Sequence, residues 1–306
     1  MRVLLLCSEN LWQHNMDRTI FHVMEAIKRH PNIDAYMNGP GFPEWSGIHN
    51  AIARYAPDVI FCVNPLDIPD YENIKTTKIF TCNEVNDKVI DQIVKSNTDI
   101  VICHLVNDMS KIILSNRPNI KVFNIPHCIE NTIFKDYYQK KEYDIMLVGI
   151  FSRGIYPLRD RLYQLLMSGT LNPYKVKILK HPGYKIANVN EQVVNYAREI
   201  NKAKIVLTCS SIYKYALSKY MEVPACNSLL VADIPHDRSE IFRKYVVEID
   251  MSWNNEKIID VLKYWVSNDS ARIERSKIGM DLINAEYTQE RYVNQFYAIM
   301  KNCLDR

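Results

Sequence analysis

Residues 205–235 read IVLTCSSIYKYALSKYMEVPACNSLLVADIP, and this stretch decides the fold. It opens on a short apolar run, Ile205–Cys209, and empties into the small polar pair Ser210 and Ser211. An amphipathic segment, Ala216–Ala225, predicts a helix. The chain then turns at Pro224–Ala225–Cys226–Asn227 and enters a second apolar run, Leu229–Asp233. Runs that are apolar at nearly every position suit strands buried on both faces of a sheet. A helix between two of them makes the pair parallel.

The same alternation extends outward in both directions. Further strands are predicted at Asp144–Ile150, Lys175–Leu179 and Val246–Ile249, with helices at Leu158–Met167 and Glu191–Ala203. The first half repeats the pattern, with strands at Arg2–Cys7, Asp58–Asn64, Lys78–Cys82, Asp99–Leu105 and Lys121–Ile125. Helices there are predicted at Thr19–Arg29 and Asp87–Val94. The expected class is α/β, with two Rossmann-like domains built on parallel sheets. The polar segment Ile129–Tyr143 reads as a linker, and the tail from Asn254 as helical with a turn near Ser267–Ser270. We expect domains over 1–135 and 136–285, and a last helix over 286–306 that packs back on the first domain. A chain of 306 residues is long enough for two such cores.

Composition narrows the function. Lys+Arg 38 against Asp+Glu 35 gives a net charge of +3, with the basic residues spread along the chain. That argues against nucleic acid as a partner. The eight cysteines form no CxxC pair and sit mostly in apolar runs, as reduced buried thiols do. This favours a cytoplasmic setting. The opening MRVLLLCSEN is too short in apolar residues for a signal peptide, and no membrane span is expected. No GxGxxG, GxSxG or HExxH occurs. Gly149 and Gly154 have the P-loop spacing, but Ile155 stands where the phosphate-gripping Lys belongs. Neither a metal nor a cofactor is expected.

Ligands of open α/β sheets sit beyond the carboxyl ends of the strands, so the loops there supply the candidates. After the strand Asp144–Ile150, Gly149 permits a tight turn, Arg153 follows in the loop, and Pro157 suits a first helical turn. Arg153 and Arg159 read either as phosphate contacts or as a solvated helix face. His181, at a strand end, reads as a sugar or phosphate contact or as a turn-stabilising residue. Ser210 and Ser211 let a ligand approach the backbone. Lys219 and Glu222 lie three apart, either as an ion pair on a helix or as a diphosphate contact beside a carboxylate for ribose hydroxyls. In the first half, Trp12, Phe42 and Trp45 offer faces for a sugar ring or pack their loops. Glu84 and Asp87 are candidates for a catalytic base, although Asp87 also suits an N-cap.

Four segments resemble GT-B glycosyltransferases of the group-1 and CgeB-like kind: KYMEVPACNSLLVAD, YDIMLVGIFSRGIYPLRDRL, NIPHCIENTIFKDY and NGPGFPEW. They fall in the family's order along nearly the whole chain. The resemblance implies transfer of a sugar from a nucleotide diphosphate sugar, UDP- or GDP-linked, to a glycan or glycoconjugate hydroxyl. It implies a metal-independent reaction in the interdomain cleft, with the donor on the second domain and the acceptor on the first. Glu222 matches the acid that binds the donor ribose, Lys219 the basic position before it, and Arg153 the loop that contacts the diphosphate. Lys214 and Lys219 would join Arg153 in stabilising the departing diphosphate. Two departures stand out. Related retaining enzymes often carry a second Glu eight positions before the one matched by Glu222; here that residue is Lys214. The usual Gly after Ala-Cys is Asn227. The resemblance still leans to a retaining hexosyl- or pentosyltransferase. Rival readings are a sugar-nucleotide epimerase of the same fold and a non-catalytic nucleotide-sugar or glycan binder.

Overall fold

The computed structural model describes residues 1–15, 18–82, 87–104, 108–181 and 187–304. The chain forms two compact units. One holds residues 1–127, a short stretch ending at Val189, and the last helix; the other holds the rest of 128–288.

In the first unit the strands are β1 (Arg2–Leu6), β2 (Asp34–Asn38), β3 (Val59–Cys62), β4 (Thr77–Cys82), β5 (Ile100–Cys103) and β6 (Lys121–Asn124). All pair in parallel, in the order β2-β1-β3-β4-β5-β6. The helices are α1 (Glu9–His14), α2 (Thr19–Arg29), α3 (Ile48–Tyr55), α4 (Asp87–Lys95) and α5 (Asp108–Asn116). Central strands are the most apolar, and Val3–Leu6 and Val59–Phe61 are fully buried. Phe21, Val23, Met24 and Ile27 form the buried face of α2, whose last turn carries Lys28 and Arg29, a favourable end for positive charge.

The second unit contains β7 (Tyr143–Gly149), β8 (Val176–Lys180), β9 (Ala203–Leu207), β10 (Leu229–Ala232) and β11 (Val247–Glu248), again all parallel. Their order is β11-β10-β9-β7-β8. Its helices are α6 (Pro157–Met167), α7 (Val189–Asn201), α8 (Lys219–Ala225), α9 (Ser239–Phe242), α10 (Asn255–Ser267) and α11 (Asp269–Glu286). Asn268 ends α10 and starts α11, its side chain accepting from Ala271 N at 3.2 Å. That cap is the turn expected near Ser267–Ser270. Where α11 crosses α8, a Cβ on Gly279 would lie 2.9 Å from the Pro224 Cβ, so only glycine permits this approach.

The last helix, α12 (Gln289–Leu304), belongs to the first unit. It buries Tyr292, Val293, Phe296 and Met300, and Phe296 meets Phe61 edge-on at 5.7 Å between centroids. Among the described residues no helix is long and apolar enough to cross a membrane. The cysteines are free, and all but Cys303 are buried.

Three boundaries differ from expectation. The first unit gives way at His127 rather than at 135, and the tail helix starts at 289 rather than 286. The segment expected as a linker is built into the second unit. Asp136 accepts from Asn201 and Asn227 side chains at 3.0 and 2.8 Å, and Lys141 donates to the carbonyls of Asn201 and Asn227 at 2.7 and 2.6 Å. Finally, α8 begins at Lys219, three residues later than periodicity suggests, because the chain before it is folded into a polar loop.

Candidate functional site

The second sheet has the doubly wound order with its reversal between β7 and β9. From β7 the chain crosses to β8 on one side, then returns to β9 on the other. Ligands of such sheets bind at the carboxyl ends of the two strands that flank this reversal. The loops concerned are the one leading from β7 into α6 and the one leading from β9 into α8. A backbone bond from Ile212 N to Ile155 O, 2.9 Å, ties them together.

Asp233 organises the second loop. This carboxylate follows β10 and is 2% exposed. It accepts from Ser210 N at 2.8 Å, Ser210 Oγ at 2.5 Å, Lys214 Nζ at 2.7 Å and the Tyr220 hydroxyl at 3.3 Å. Tyr220 also donates to the Asp233 carbonyl at 2.6 Å. Partial burial pulls the Lys214 ammonium downward, yet the bond to Asp233 and the charges of Asp233 and Asp250 hold it above its ordinary value. Ser211 and Lys214 both take left-handed backbone angles, φ 68° and 55°. Such strain persists only where the surroundings over-determine it, and the Asp233 network does so here. The sequence reading missed Asp233, although its signal, an acid closing the apolar run LLVAD at a strand's carboxyl end, was present.

Glu222 is buried on α8, with Oε2 3.5 Å from Lys219 Nζ and 3.4 Å from the Tyr196 hydroxyl. Burial, with the Glu222 charge beside it, pushes the Tyr196 phenol well above its ordinary range. The pair Lys219–Glu222 is therefore a partly buried one, not a solvated surface contact. The Asn227 turn is held from below: φ is 52°, its side chain donates to Asp136, and its carbonyl accepts from Lys141. Asn thus occupies a glycine-like conformation while adding a bond glycine lacks.

The remaining candidates divide. Arg153 projects from the first loop with its side chain 83% exposed and its Nε 2.9 Å from Asp160. His181 directly follows β8 and is half-buried. Ser210 and Ser211 are buried at the end of β9. Arg159 departs from both expected roles, a phosphate contact and a solvated helix face. The residue is 2% exposed, and its guanidinium turns inward beneath the loops, donating to Ile150 O, Thr208 Oγ1 and Cys209 O at 2.9, 3.0 and 3.4 Å. Gly149 has φ 110°, and a Cβ there would fall 2.6 Å from Arg159 Nη1. Arg161, two residues along the helix, bonds Asn255 and the Met251 carbonyl.

Within the first unit, Trp12 is half-buried, edge-on to Phe21 at 5.5 Å, with the Arg18 guanidinium 5.0 Å from its ring. Phe42 and Trp45 lie in a tight loop after β2, and Trp45 packs against the core around Leu4, Ile60 and Tyr71. Asp87 is exposed in the first turn of α4. Glu84 lies outside the described residues.

No protein-family model and no curated protein sequence matches the chain. Solved structures do. A sucrose-phosphate synthase from Thermosynechococcus elongatus superposes with a TM-score of 0.67 at 12% identity, covering 100% of this chain and 99% of that one. An alpha-glucosyltransferase in complex with UDP and a 13-mer DNA gives 0.65 at 10% identity, covering 98% and 99%. A glycosyltransferase from Rickettsia africae gives 0.62 at 11%, covering 99% and 98%. The chain has the GT-B fold. Both sheets, with their doubly wound orders and paired helices, match whole GT-B enzymes rather than fragments of them. Arg153 lies in the loop after β7, Lys214 in the loop after β9, and Lys219 and Glu222 on α8, all within the second unit.

Proposed function

We propose that this protein is a glycosyltransferase that moves a sugar from a nucleotide diphosphate sugar to a hydroxyl of a glycan or glycoconjugate. The observation that carries the reading is the buried carboxylate Glu222, held by Lys219 and Tyr196 on the helix that follows the Lys214 loop. Glu222 accepts the two ribose hydroxyls. Arg153, Lys214 and Lys219 face the diphosphate. As the bond from the anomeric carbon to the β-phosphate oxygen breaks, negative charge grows on the leaving oxygen. Fixed positive groups stabilise that charge more than they stabilise the ground state, and these side chains supply them without a metal. The acceptor hydroxyl oxygen bonds to the anomeric carbon and gives up its proton. His181 and the loop that Ser210 and Ser211 anchor complete the donor surface. Trp12, Phe42 and Trp45 serve the acceptor side. In keeping with the resemblance, we propose retention of anomeric configuration, with the acceptor attacking on the face the diphosphate leaves and passing its proton to the departing oxygen; inversion would instead call on Asp87 or Glu84 as the base.

A panel of UDP-, GDP- and dTDP-sugars with the purified protein tests the reading. Binding without added divalent metal is expected, with release of nucleoside diphosphate when an acceptor is supplied. Glu222→Ala should weaken binding by about tenfold or more, the scale of hydrogen bonds to a charged group. Absence of binding at millimolar donor would overturn the proposal. Binding with no diphosphate release across an acceptor panel would favour a non-catalytic binder. Proton coupling at the anomeric centre of the product reports retention or inversion.

A further inference from the structure

Arg159 is a buried cation that the fold alone does not explain. Among the described residues no carboxylate lies within ion-pair distance of it. Its partners are two backbone carbonyls, the Thr208 hydroxyl and the face of the Tyr156 ring, 4.2 Å from centroid to guanidinium carbon. Its Nε is buried without any hydrogen-bond partner. The buried Arg272 of the same unit behaves differently, pairing with Asp269 while it caps the Trp265 and Val266 carbonyls. A guanidinium withdrawn from water is expensive unless an anion compensates it. The place where Arg159 sits is the reversal between β7 and β9. One of its nitrogens reaches the β7 loop at Ile150, and another reaches the β9 loop at Thr208 and Cys209. Gly149 is required by the same arrangement, since any side chain there would collide with the guanidinium.

We infer that Arg159 is a positioning residue of the donor site, clamping the two loops from beneath and holding a fixed positive charge under the bound diphosphate. This rests on the donor reading above. It differs from that reading in assigning the anion's compensation to a residue that need not touch it. The planar guanidinium reaches both loops at once, which the single ammonium of lysine cannot do.

The test compares affinities for the nucleoside diphosphate and for the bare nucleoside, using UDP with uridine or GDP with guanosine, whichever the wild type binds. Their ratio isolates the diphosphate, and a purely structural role would leave it unchanged. Arg159→Met should lower the ratio by about tenfold or more. Arg159→Lys, which keeps the charge and loses one loop, should fall between it and wild type. If Arg159→Met fails to fold, Thr208→Val removes one partner of the guanidinium and should lower the ratio by about threefold. Unchanged ratios, or equal losses for nucleoside and diphosphate, would overturn this inference and leave the donor reading intact. A wild type that binds no nucleoside diphosphate would overturn both.

Discussion

Asp233 gathers donors from three directions: the loop after β9, the Lys214 side chain that loop presents, and the first turn of α8. Replacing it by Asn leaves the Lys214 ammonium without its countercharge and turns an amide donor toward a site filled with donors. Removing one partner of a buried pair costs about 3 kcal/mol. Asp233→Asn should therefore lower the unfolding free energy in urea by about that amount, and a loss below about 1 kcal/mol would show that the network is not what holds the loop. Little of this was legible beforehand. Periodicity reports which face of an element is apolar, and so found Lys219, Glu222 and the strand ends. It does not report which polar groups meet across neighbouring strands. Periodicity therefore neither finds Asp233 nor turns Arg159 inward.

Elements were legible in proportion to their apolarity. The strands VIFC and IVIC are buried at every residue and were read correctly. The strand β2, DAYMN, lies at the sheet's edge with only Asn38 buried, and it was missed because an edge strand need not be apolar. Similar reasoning explains the segment 129–143, whose polar composition suggested a linker although its polar groups bind the Asn227 turn. Asn227→Gly decides between two effects there. Glycine adopts φ 52° with less strain, a gain of at most about 1 kcal/mol, but it forfeits the bond to the Asp136 carboxylate, worth about 1.5–3 kcal/mol. A net destabilisation is expected in thermal or urea unfolding, and a stabilised variant would show the bond to be unimportant. For α12 the dominant anchor is Phe296, fully buried against Phe61. Phe296→Ala should cost about 3–5 kcal/mol, read as a lowered urea midpoint; an unchanged midpoint would show that α12 contributes little to the first unit.

Across the whole molecule, buried thiols set the response to alkali. Burial pushes Cys7 up to about 12, and raises Cys62, Cys128 and Cys226 still further from the ordinary value of 9.0. Each group's folded value lies above its unfolded one, so its stabilisation is complete below pH 9 and is lost as pH rises beyond it. At pH 10 each such thiol withdraws about 1.4 kcal/mol. Lys141 acts oppositely: burial lowers it to about 8, so between pH 8 and 10.5 the unfolded chain holds the extra proton and stability rises. Four thiols outweigh one lysine. The urea midpoint should fall between pH 8 and pH 10, and a midpoint that holds or rises would contradict the burial of the thiols.

The first unit takes its strands from residues 1–127 and its closing helix from 289–304, so the second unit is an insertion within it. During synthesis the order of completion is reversed relative to the order of translation. The inserted unit has all its strands and helices once residue 288 has left the ribosome. The unit begun first still lacks α12, and the groove that Phe296 will fill stays open until the last helix emerges. Maturation of the first unit is thereby coupled to translation of residues 289–304, and a nascent chain stalled before them would hold a finished second unit and an unfinished first one.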